Sequence, residues 1–514
     1  TDNFNVQSAS LWYGQGGTSI FTSYTMMANG NTYSGVIPGN VVGSQGIKYY
    51  ITAADADGNN SVSGKYSLPV AISDPGIENG TAQPAGKEQS AYRLFSIPIN
   101  ANNKSPSNIL NDDLGSYDKT KWRFFELKPD QPDDNPYKEY PNTSNMEPGN
   151  AFWLIVKDAG KKIDTGSGVT ELINEEYKIS LNAGWTLIGN PFNFDIPYDH
   201  ISMENKAVLD IRSYTGDWNF YSGVLKPFEG YAVHADSATN LVIDPDLSNL
   251  AKTIQPKLVL QVDDVLWSIN ISARCEDATD KNNQILIHKN ATQNWDEFDR
   301  AEPPVIGEYV SVYFDHPEWK KISSRYCIDA RPGPFEGDMW ELNVETNIKD
   351  EVFLKFEGIK DIPSQYEIRL IDEKLRIVQN LKTSDRYKFA ASSVKQPKSL
   401  KILIGDQIFI ANELNKLDLL PQSFVLEQNF PNPFNPVTTI RFGIPSEQKV
   451  TLKIYNVLGQ EIKTLSNDVY LNAGYHTVIW DGKNSHNELV ASGIYIYTLK
   501  TDNFDAVKKM ILVR

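Results

Sequence analysis

The sequence predicts an all-β chain made of several β-sandwich modules in series. Apolar and polar residues alternate, as in strands with one buried face, in segments such as 47–55, 267–275 and 450–457. Helical periodicity is almost absent. The chain also holds 33 glycines and 28 prolines, which favour frequent turns. Its 514 residues correspond to about three or four domains at roughly 150 residues each.

Charge and hydropathy exclude two classes of function. Acidic residues number 65 against 49 basic ones, for a net charge of -16. Proteins that bind nucleic acid present a basic patch or stripe, so we expect no nucleic-acid partner. Apolar runs stay far below the 18 residues of a membrane-spanning helix, so we expect no membrane span.

Composition breaks at 73–90, 246–255 and 412–423 divide the chain into four blocks. Block one, residues 1–72, resembles fibronectin type III-like or immunoglobulin-like (Ig-like) modules. The matching residues are Tyr33, Ile37, Pro38, Gly46, Tyr49, Tyr50, Ile51, Ala53, Asp55, Gly58 and Asn59. The block is short for a full sandwich. We therefore expect a further strand upstream of Thr1, and a chain that is part of a longer protein.

Block two, residues 91–246, contains an internal duplication with repeats at 91–166 and 183–246. The phrase that begins at Tyr92 returns at Trp185, with a Leu at the third position and a Pro at the seventh. Self-similarity at a fixed period indicates two copies of one β unit. We expect the two repeats to superpose strand for strand, with Trp153 and Tyr231 in equivalent places.

Block three, residues 257–411, is predicted to be a β-sandwich with a jelly-roll-like number of strands. It contains both cysteines, Cys275 and Cys327. An even, sparse count favours one disulfide in an oxidising compartment, which would close a loop of about 50 residues and contribute roughly 4 kcal/mol. Two buried free thiols are the alternative.

Two acidic turns in block three are candidate calcium ligands. Calcium prefers carboxylate and carbonyl oxygens clustered on turns. The candidate residues are Asp277, Asp280, Asn283, Asp296 and Asp299. Solvated acidic turns without an ion are the alternative, and no other cofactor is predicted.

The catalytic motifs that we considered are absent, and the chain is not expected to be an enzyme. Neither HExxH nor GxSxG occurs. The phrase from Ile163 to Ser167 has the DTGS pattern of aspartic proteases, whose chemistry needs a second, paired carboxylate. The corresponding place in the second repeat is Asp244, which lacks the following Thr and Gly. We therefore interpret Asp164 as part of a polar turn.

Block four, residues 424–514, carries the most specific pattern. Its marked residues are Pro431, Asn432, Pro433, Gly459, Trp480, Asp481, Gly482, Gly493, Tyr495, Lys508 and Lys509. In this order they resemble the type A C-terminal sorting domain of type IX secretion cargo from Bacteroidota. Asn487 stands where a turn glycine is usual. We expect about seven antiparallel strands in an Ig-like sandwich that meets block three only through the 412–423 linker. We also expect Ile511 and Val513 to point inward, and Lys508 and Lys509 to face solvent.

The resemblance implies a non-catalytic C-terminal portion of a protein that is secreted or held on the outer-membrane surface. It also implies a type IX translocon and a sortase-like peptidase as partners, with attachment to surface lipopolysaccharide. Two alternatives stay open. The chain could be the accessory tail of a secreted hydrolase, such as a peptidase, whose catalytic domain precedes Thr1. It could instead be a homo-oligomeric subunit of an extracellular fibre or surface layer.

Overall fold

The computed structural model describes residues 6–128, 136–249, 264–333, 336–391, 396–417, 421, 423–471 and 474–513. The prediction of an all-β fold is confirmed, with two α-helices among the described residues. The chain divides into two compact units, Thr1–Val259 and Leu260–Arg514. Within the described ranges, no helix is both long and apolar enough to cross a membrane. Parts of the expected linkers, 250–255, 418–420 and 422, lie outside the described residues.

Block one forms a sheet of long and short strands. Its strands are β1 Val6–Gln15, β2 Thr22–Thr25, β3 Met27–Asn29, β4 Thr32–Ser34, β5 Ile47–Asp55, β6 Asn60–Val62 and β7 Tyr66–Leu68. The order is β2-β1-β5-β6, with β7 also paired to β5, while β3 and β4 form a separate hairpin. Alternate residues of β1, namely Ala9, Leu11 and Tyr13, are buried, as the sequence pattern requires.

Block two contains two sets of strands with matching orders. The first set is β8 Ala71–Ile72, β9 Arg93–Phe95, β10 Asn100–Ala101, helix α1 Pro106–Leu114, β11 Trp122–Leu127, β12 Tyr137–Glu139, β13 Phe152–Val156 and β14 Gly168–Val169. The second set is β15 Tyr177–Leu181, β16 Gly184–Gly189, β17 Ile201–Met203, β18 Asp210–Tyr214, β19 Trp218–Phe220, β20 Gly230–Ala235 and β21 Thr239–Ile243.

The same topology appears in both sets. The four-stranded sheets run β12-β11-β13-β9 and β19-β18-β20-β16, and the three-stranded sheets run β10-β14-β8 and β17-β21-β15. Strands β8, β14 and β15 lie outside the expected repeat bounds, so each copy begins one strand earlier than the sequence phrases suggested. The shortness of β8 and β14, two residues each, explains why no alternation revealed them.

The two copies meet through equivalent backbone groups. Ser96 N donates to Phe228 O at 3.1 Å, and Gly189 N donates to Gly149 O at 2.9 Å. Ser96 and Gly189 occupy matching positions, as do Phe228 and Gly149. Each copy therefore donates to the other from the same place, as in the self-complementary contact of a two-fold dimer.

The expected equivalence of Trp153 and Tyr231 is wrong by one residue. Trp153 is opposite Leu94 in its sheet, whereas Tyr231 is opposite Ile188. Phe152 is opposite Phe95, which holds the same place in the first copy as Ile188 in the second. Phe152 is therefore the residue equivalent to Tyr231. The error arose because aromatic residues occur at both 152 and 153, and residue type alone does not choose between them.

Block three forms a single curved sheet. Its elements are β22 Val265–Cys275, β23 Ala278–His288, β24 Arg300–Ala301, β25 Val310–Asp315, β26 Arg325–Pro332, β27 Gly337–Thr346, β28 Glu351–Glu357, β29 Glu367–Asp372, β30 Ile377–Asn380, β31 Arg386–Ala390, β32 Lys398–Gly405 and helix α2 Gln407–Lys416. The order is β30-β29-β32-β27-β25-β26-β23-β22-β28-β31, with β24 paired to β26. Trp267, Trp340, Ile368 and Tyr387, from strands across this sheet, share one core, so the sheet curls around it.

The predicted disulfide is wrong, because Cys275 and Cys327 are buried thiols that no disulfide joins. Cys275 pairs with Ala278 of β23, whereas Cys327 precedes Ile328, which pairs with Gln284 of the same strand. The two cysteines therefore lie about five residues apart along β23, or roughly 16 Å, well beyond the reach of a disulfide. They also belong to different apolar clusters.

Block four is a two-sheet antiparallel module with seven strands, the number that the sequence suggested. They are β33 Val425–Leu426, β34 Thr438–Ile444, β35 Gln448–Asn456, β36 Glu461–Leu471, β37 Gly474–Trp480, β38 Gly493–Lys500 and β39 Asp505–Leu512. The sheets run β33-β34-β37 and β36-β35-β38-β39. Side chains from both sheets, including Phe442, Leu452, Trp480 and Tyr497, enclose one core.

Candidate functional site

The last strand, β39, is the centre of the candidate site. It pairs along its whole length with β38, from Gly493 opposite Leu512 to Lys500 opposite Asp505. Met510 and Leu512 are 0% and 1% exposed and anchor the strand to the core. This anchoring fixes which residues of the C-terminal segment face outward.

The expected direction of Ile511 and Val513 is wrong. Ile511 is 37% exposed and Val513 is 50% exposed, while Met510 and Leu512 point inward. The outward row of β39 is Asp505, Val507, Lys509 and Ile511, continued by Val513. Lys509 is exposed as expected, and Lys508 is half-buried.

The free edge of β39 is closed from Lys509 to Val513 by the proline-containing segment 428–434. Gln428 Nε2 donates to Lys509 O at 2.7 Å, and Asn432 Oδ1 accepts from Ile511 N at 2.9 Å. Phe434 N then donates to Ile511 O at 3.0 Å and Phe434 O accepts from Val513 N at 2.9 Å. These bonds satisfy the backbone groups that an edge strand would otherwise offer to another chain.

Pro431 and Pro433 flank Asn432 in this edge-closing segment. Proline has no N–H and is found at sheet edges and irregular positions, so these residues stop the segment from becoming a regular strand. Pro431 O accepts from Thr438 Oγ1 at 2.9 Å. The chain is thereby held so that residue 432 bonds to β39 through its side chain.

The Trp480–Gly482 turn supports the same strand from inside. The Trp480 ring lies 5.6 Å from that of Phe434 and 5.2 Å from that of Tyr495, and its Nε1 donates to Lys483 O at 2.9 Å. Asp481 Oδ1 accepts from Lys483 N at 3.2 Å and closes the turn. Each of these residues therefore has a structural role in holding β38 and β39.

The marked glycines and Asn487 occupy turns and strand ends. Gly459 and Gly482 have positive φ angles of 79° and 69°, which glycine adopts without steric cost. Gly493 begins β38. Asn487 has a φ of 62°, a conformation that asparagine tolerates better than most residues, so its place at a usual glycine position is explained.

Block four contacts block three directly, so the expectation that only a linker joins them is wrong. Arg441 Nη1 donates to Lys374 O at 2.8 Å, and Arg376 Nη1 donates to Tyr475 Oη at 2.6 Å. Both guanidinium groups lie over the Tyr475 ring, at 4.2 Å for Arg441 and 5.0 Å for Arg376. No alternation pattern reports such a contact, because it depends on long side chains from two modules.

The structure brings Asp296 and Asp299 into one turn, where backbone groups occupy their oxygens. Asp299 accepts from Asp296 N at 2.8 Å and from Ala330 N at 2.9 Å. Burial raises the pKa of Asp299 to about 8, which its backbone hydrogen bonds only partly oppose. Asp280 accepts from Val312 N at 2.6 Å.

The remaining candidate calcium ligands, Asp277 and Asn283, lie on the hairpin of β22 and β23, which also contains Asp280. Asp277 is exposed in the turn between β22 and β23, and Asn283 Nδ2 donates to Ile271 O at 3.5 Å. Calcium binding by the five candidate residues stays a prediction.

A carboxylate cluster that the sequence did not indicate lies in the first repeat of block two. The oxygens of Asp112, Asp113 and Asp164 lie within 4.8 Å of one another. Burial, followed by the neighbouring carboxylates, raises the pKa values of Asp113 and Asp164. Asp112 and Asp113 belong to helix α1, which the sequence analysis did not assign, so their approach to Asp164 had no detectable signal.

One family model matches the C-terminal part of this chain, and several solved structures are similar to the chain at low identity. The family described as "Secretion system C-terminal sorting domain" matches residues 428–513. None of the curated proteins matches significantly. The family match at residues 428–513 shows that the chain carries the sorting signal of type IX secretion cargo, which is exported to the cell surface or the extracellular space of Bacteroidota.

The similarity to the solved structures is low. Dimeric latent PorU from Porphyromonas gingivalis has 11% sequence identity and a TM-score of 0.16, over 91% of this chain and 32% of that chain. A tetra-tandem repeat in the extending region of a large adhesion protein has 7% identity and a TM-score of 0.15, over 99% and 92%. PorZ, a surface component of the type IX secretion system of Porphyromonas gingivalis, has 11% identity and a TM-score of 0.15, over 92% and 69%. At these TM-scores none of the three carries an argument. The chain spans about a third of the PorU chain.

Proposed function

We propose that this chain is the non-catalytic C-terminal portion of an exported protein, with structural and adhesive β modules, and that strand β39 is its export handle. The observation that carries the proposal is the state of β39. Its inner side chains, Met510 and Leu512, are buried, and its backbone edge from Lys509 to Val513 is closed by residues 428–434. What remains accessible is one outward row of side chains on a rigid strand.

The outward row has the chemistry of a recognition surface. Val507 is 65% exposed, Ile511 is 37% and Val513 is 50%, with the exposed Lys509 between the first two. Apolar side chains around a single cation, held on a strand that cannot change register, offer a partner both area and a fixed charge. The type IX translocon reads this row, and a sortase-like peptidase then acts on the exported chain and joins it to surface lipopolysaccharide.

Two turns support the non-catalytic part of the proposal. Asp164 Oδ1 accepts from Gly166 N at 2.9 Å, and Asp244 Oδ1 accepts from Asp246 N at 3.0 Å. Both contacts join residue i to residue i+2, as in an Asx-turn. The DTGS-like phrase and its counterpart in the second repeat thus play one turn-forming role. The first and last blocks are Ig-like modules in this proposal.

The test separates recognition from folding. Deleting residues 508–514 removes the row from Lys509 onward together with its anchors, so we expect loss of export together with loss of the β39 edge. Ile511→Ser removes only an outward side chain, so we expect reduced export from a normally folded protein. Val469→Ser is the matched control, because Val469 is 43% exposed on β36, at the other edge of the same sheet.

Cells that produce each variant are fractionated, and periplasm, surface and medium are assayed separately. The proposal expects the deletion and Ile511→Ser to accumulate in the periplasm, while Val469→Ser is exported normally. Normal export of the deletion variant would show that β39 is not the handle. Equal loss of export for both point variants would show that the sheet face as a whole, rather than the β39 row, is recognised.

A further inference from the structure

A basic groove lies on the outer face of the block-three sheet, across strands β23, β22, β28 and β31. It encloses about 710 Å³. Its lining includes five cationic side chains and one carboxylate, that of Glu357. The cations are Arg274, Lys281, Lys355, Arg386 and Lys388. Such a concentration of positive charge stands out in a chain whose net charge is -16.

Strand pairing arranges the groove as two parallel rows. Arg274 is opposite Phe353, which is opposite Lys388. The next outward row places Lys355 opposite Arg386. Neighbouring strands are about 4.8 Å apart and the rows about 6.8 Å apart, so the cations form a fixed two-dimensional array.

The sheet core holds this array rigidly. The residues between the outward ones, including Ala273, Leu354 and Tyr387, are buried in the main core of block three. The lining residues lie on four neighbouring strands of one sheet, and most of the charged ones are solvent-exposed. An extended polymer can therefore lie across the groove without threading through the core.

Phe353 supplies an apolar surface in the middle of the cations. It is 38% exposed, and the Arg274 and Lys388 head groups lie 5.1 Å and 6.0 Å from its ring centroid. The face of an aromatic ring is negatively polarised and attracts polarised C–H groups as well as cations. A sugar ring offers such C–H groups on its flat face.

The local carboxylates neutralise only part of the groove. Glu351 lies 3.0 Å from Lys388, Glu357 pairs with Lys355, and Asp385 lies 3.9 Å from the highly exposed Arg386. Among the residues that the structure describes, Arg274 has no ion-pair partner, only the ring of Phe353. A guanidinium in this position matches a carboxylate through two parallel hydrogen bonds.

From this arrangement we propose that the groove binds a carboxylated polysaccharide. The carboxylates pair with Arg274 and its cationic neighbours, and a sugar ring stacks on Phe353. An acidic polypeptide would satisfy the charges but would leave Phe353 without a specific partner. The inference rests on the proposed adhesive role of the modules, since an exported chain meets such polymers outside the cell. Block four takes no part in it.

The binding test uses the full chain and three polymers: polygalacturonate, uncharged dextran and polyglutamate. We expect polygalacturonate to bind, dextran not to bind, and polyglutamate to bind more weakly. Arg274→Gln should weaken polygalacturonate binding about tenfold, the effect of losing one charge-assisted hydrogen-bonded contact. Phe353→Ala should weaken it about three- to tenfold, and this loss should persist at high salt because stacking is not screened.

Lys382→Gln is the matched control, since Lys382 is an exposed lysine of the same module outside the groove. We expect it to bind like the unaltered chain. Thermal unfolding of each variant verifies that the fold is intact. Equal binding of polyglutamate and polygalacturonate, with no effect of Phe353→Ala, would overturn the proposal in favour of an acidic protein partner. Absence of polygalacturonate binding, or an equal loss in Lys382→Gln, would also overturn it. Export in the fractionation assay is independent of every one of these outcomes.

Discussion

Replacing Asp246 by Asn should destabilise the attachment of block one to block two. Asp246 Oδ1 accepts from Lys48 Nζ at 2.6 Å, and Oδ2 accepts from Lys65 Nζ at 2.6 Å. Lys48 lies on β5 of block one, whereas Asp246 follows the last strand of block two. The side chains of Lys48 and Asp246 are 0% and 3% exposed, so the ion pair is almost completely removed from water.

The expected loss follows from the burial of Lys48. Asparagine keeps the shape of Asp246 but leaves the Lys48 ammonium buried without its hydrogen-bonded counter-charge. Removing one partner of a buried pair costs about 3–5 kcal/mol, because the remaining charge is uncompensated. Replacing both residues together, as Lys48→Met with Asp246→Leu, removes the uncompensated charge and should restore most of that loss.

The pH dependence has a definite sign. Burial alone would raise the pKa of Asp246, but hydrogen bonds from Lys48, Lys65 and Ser248 outweigh it and hold the pKa well below its usual range. A carboxyl whose pKa is lowered by folding contributes stability that is present above its unfolded pKa of about 3.9. That contribution is lost as the pH falls through the folded pKa. The difference between the unaltered chain and Asp246→Asn should therefore be constant above about pH 5 and shrink below about pH 4.

Hydrogen exchange of peptides from β5 measures the effect in the full chain. The opening free energy of Ile47–Asp55 should fall by about 3–5 kcal/mol in Asp246→Asn at pH 7. Glu204→Gln is the control, since Glu204 forms an exposed pair with Lys178 at 2.7 Å, and no measurable change is expected there. A loss below about 1 kcal/mol in Asp246→Asn would refute the reasoning, because it would place the pair in the range of exposed salt bridges.

Three further outcomes are expected. Burial lowers the pKa of His316, but Asp329 and a second carboxylate outweigh it and raise the pKa above its usual value. The stability lost in His316→Gln, measured by urea unfolding, should thus be largest below about pH 6.5 and disappear as the pH rises through the folded pKa. Gly149 and Gly160 both have positive φ, so alanine is strained at either position. Gly149→Ala should lower the melting temperature more, because only a Cβ at 149 meets a side chain, that of Ile179 at 3.1 Å. Burial raises the pKa of the Cys275 thiol to about 11, so it should react with a thiol reagent only after unfolding, and an intact mass showing a disulfide would contradict the structure.

Which alternate residues of the last strand face the core could not be predicted from the sequence. Residues 510–513 read Met-Ile-Leu-Val, so both phases of a period-two pattern are equally apolar. Pairing decides between them: Met510 is opposite Tyr495, which is 7% exposed and faces the core. Tyr497 of β38 also points inward, and its hydroxyl donates to Glu427 O at 2.7 Å. A buried tyrosine needs such a partner, and the partner comes from another strand.

The duplicated block shows what sequence phrases do capture. Both repeats carry their phrase at an edge strand, β9 or β16, and the strand orders around these edges are the same. Gly149 and Phe228 hold equivalent positions in the two copies and both adopt positive φ, 86° and 65°. The sequence does not indicate this shared conformation, because the residue types differ. Phenylalanine rarely takes this conformation. The positive φ angle is therefore the same in both copies, although glycine, the residue that usually adopts it, is present only in the first copy.

The contact between blocks three and four bears on how a sorting module serves its cargo. Arg441 has a side chain only 8% exposed, held by Glu427 at 3.0 Å within its own module and by Lys374 O in block three. Its ring partner, Tyr475, is shared with Arg376 of block three. These contacts come from β34 and β37 of the three-stranded sheet, whereas the outward row of β39 belongs to the other sheet. The Arg441 and Tyr475 contacts therefore use a different sheet from the proposed recognition row. Lys509 of that row is exposed, while Val513 at its end lines a cleft with Asp350 and Ala390 of block three.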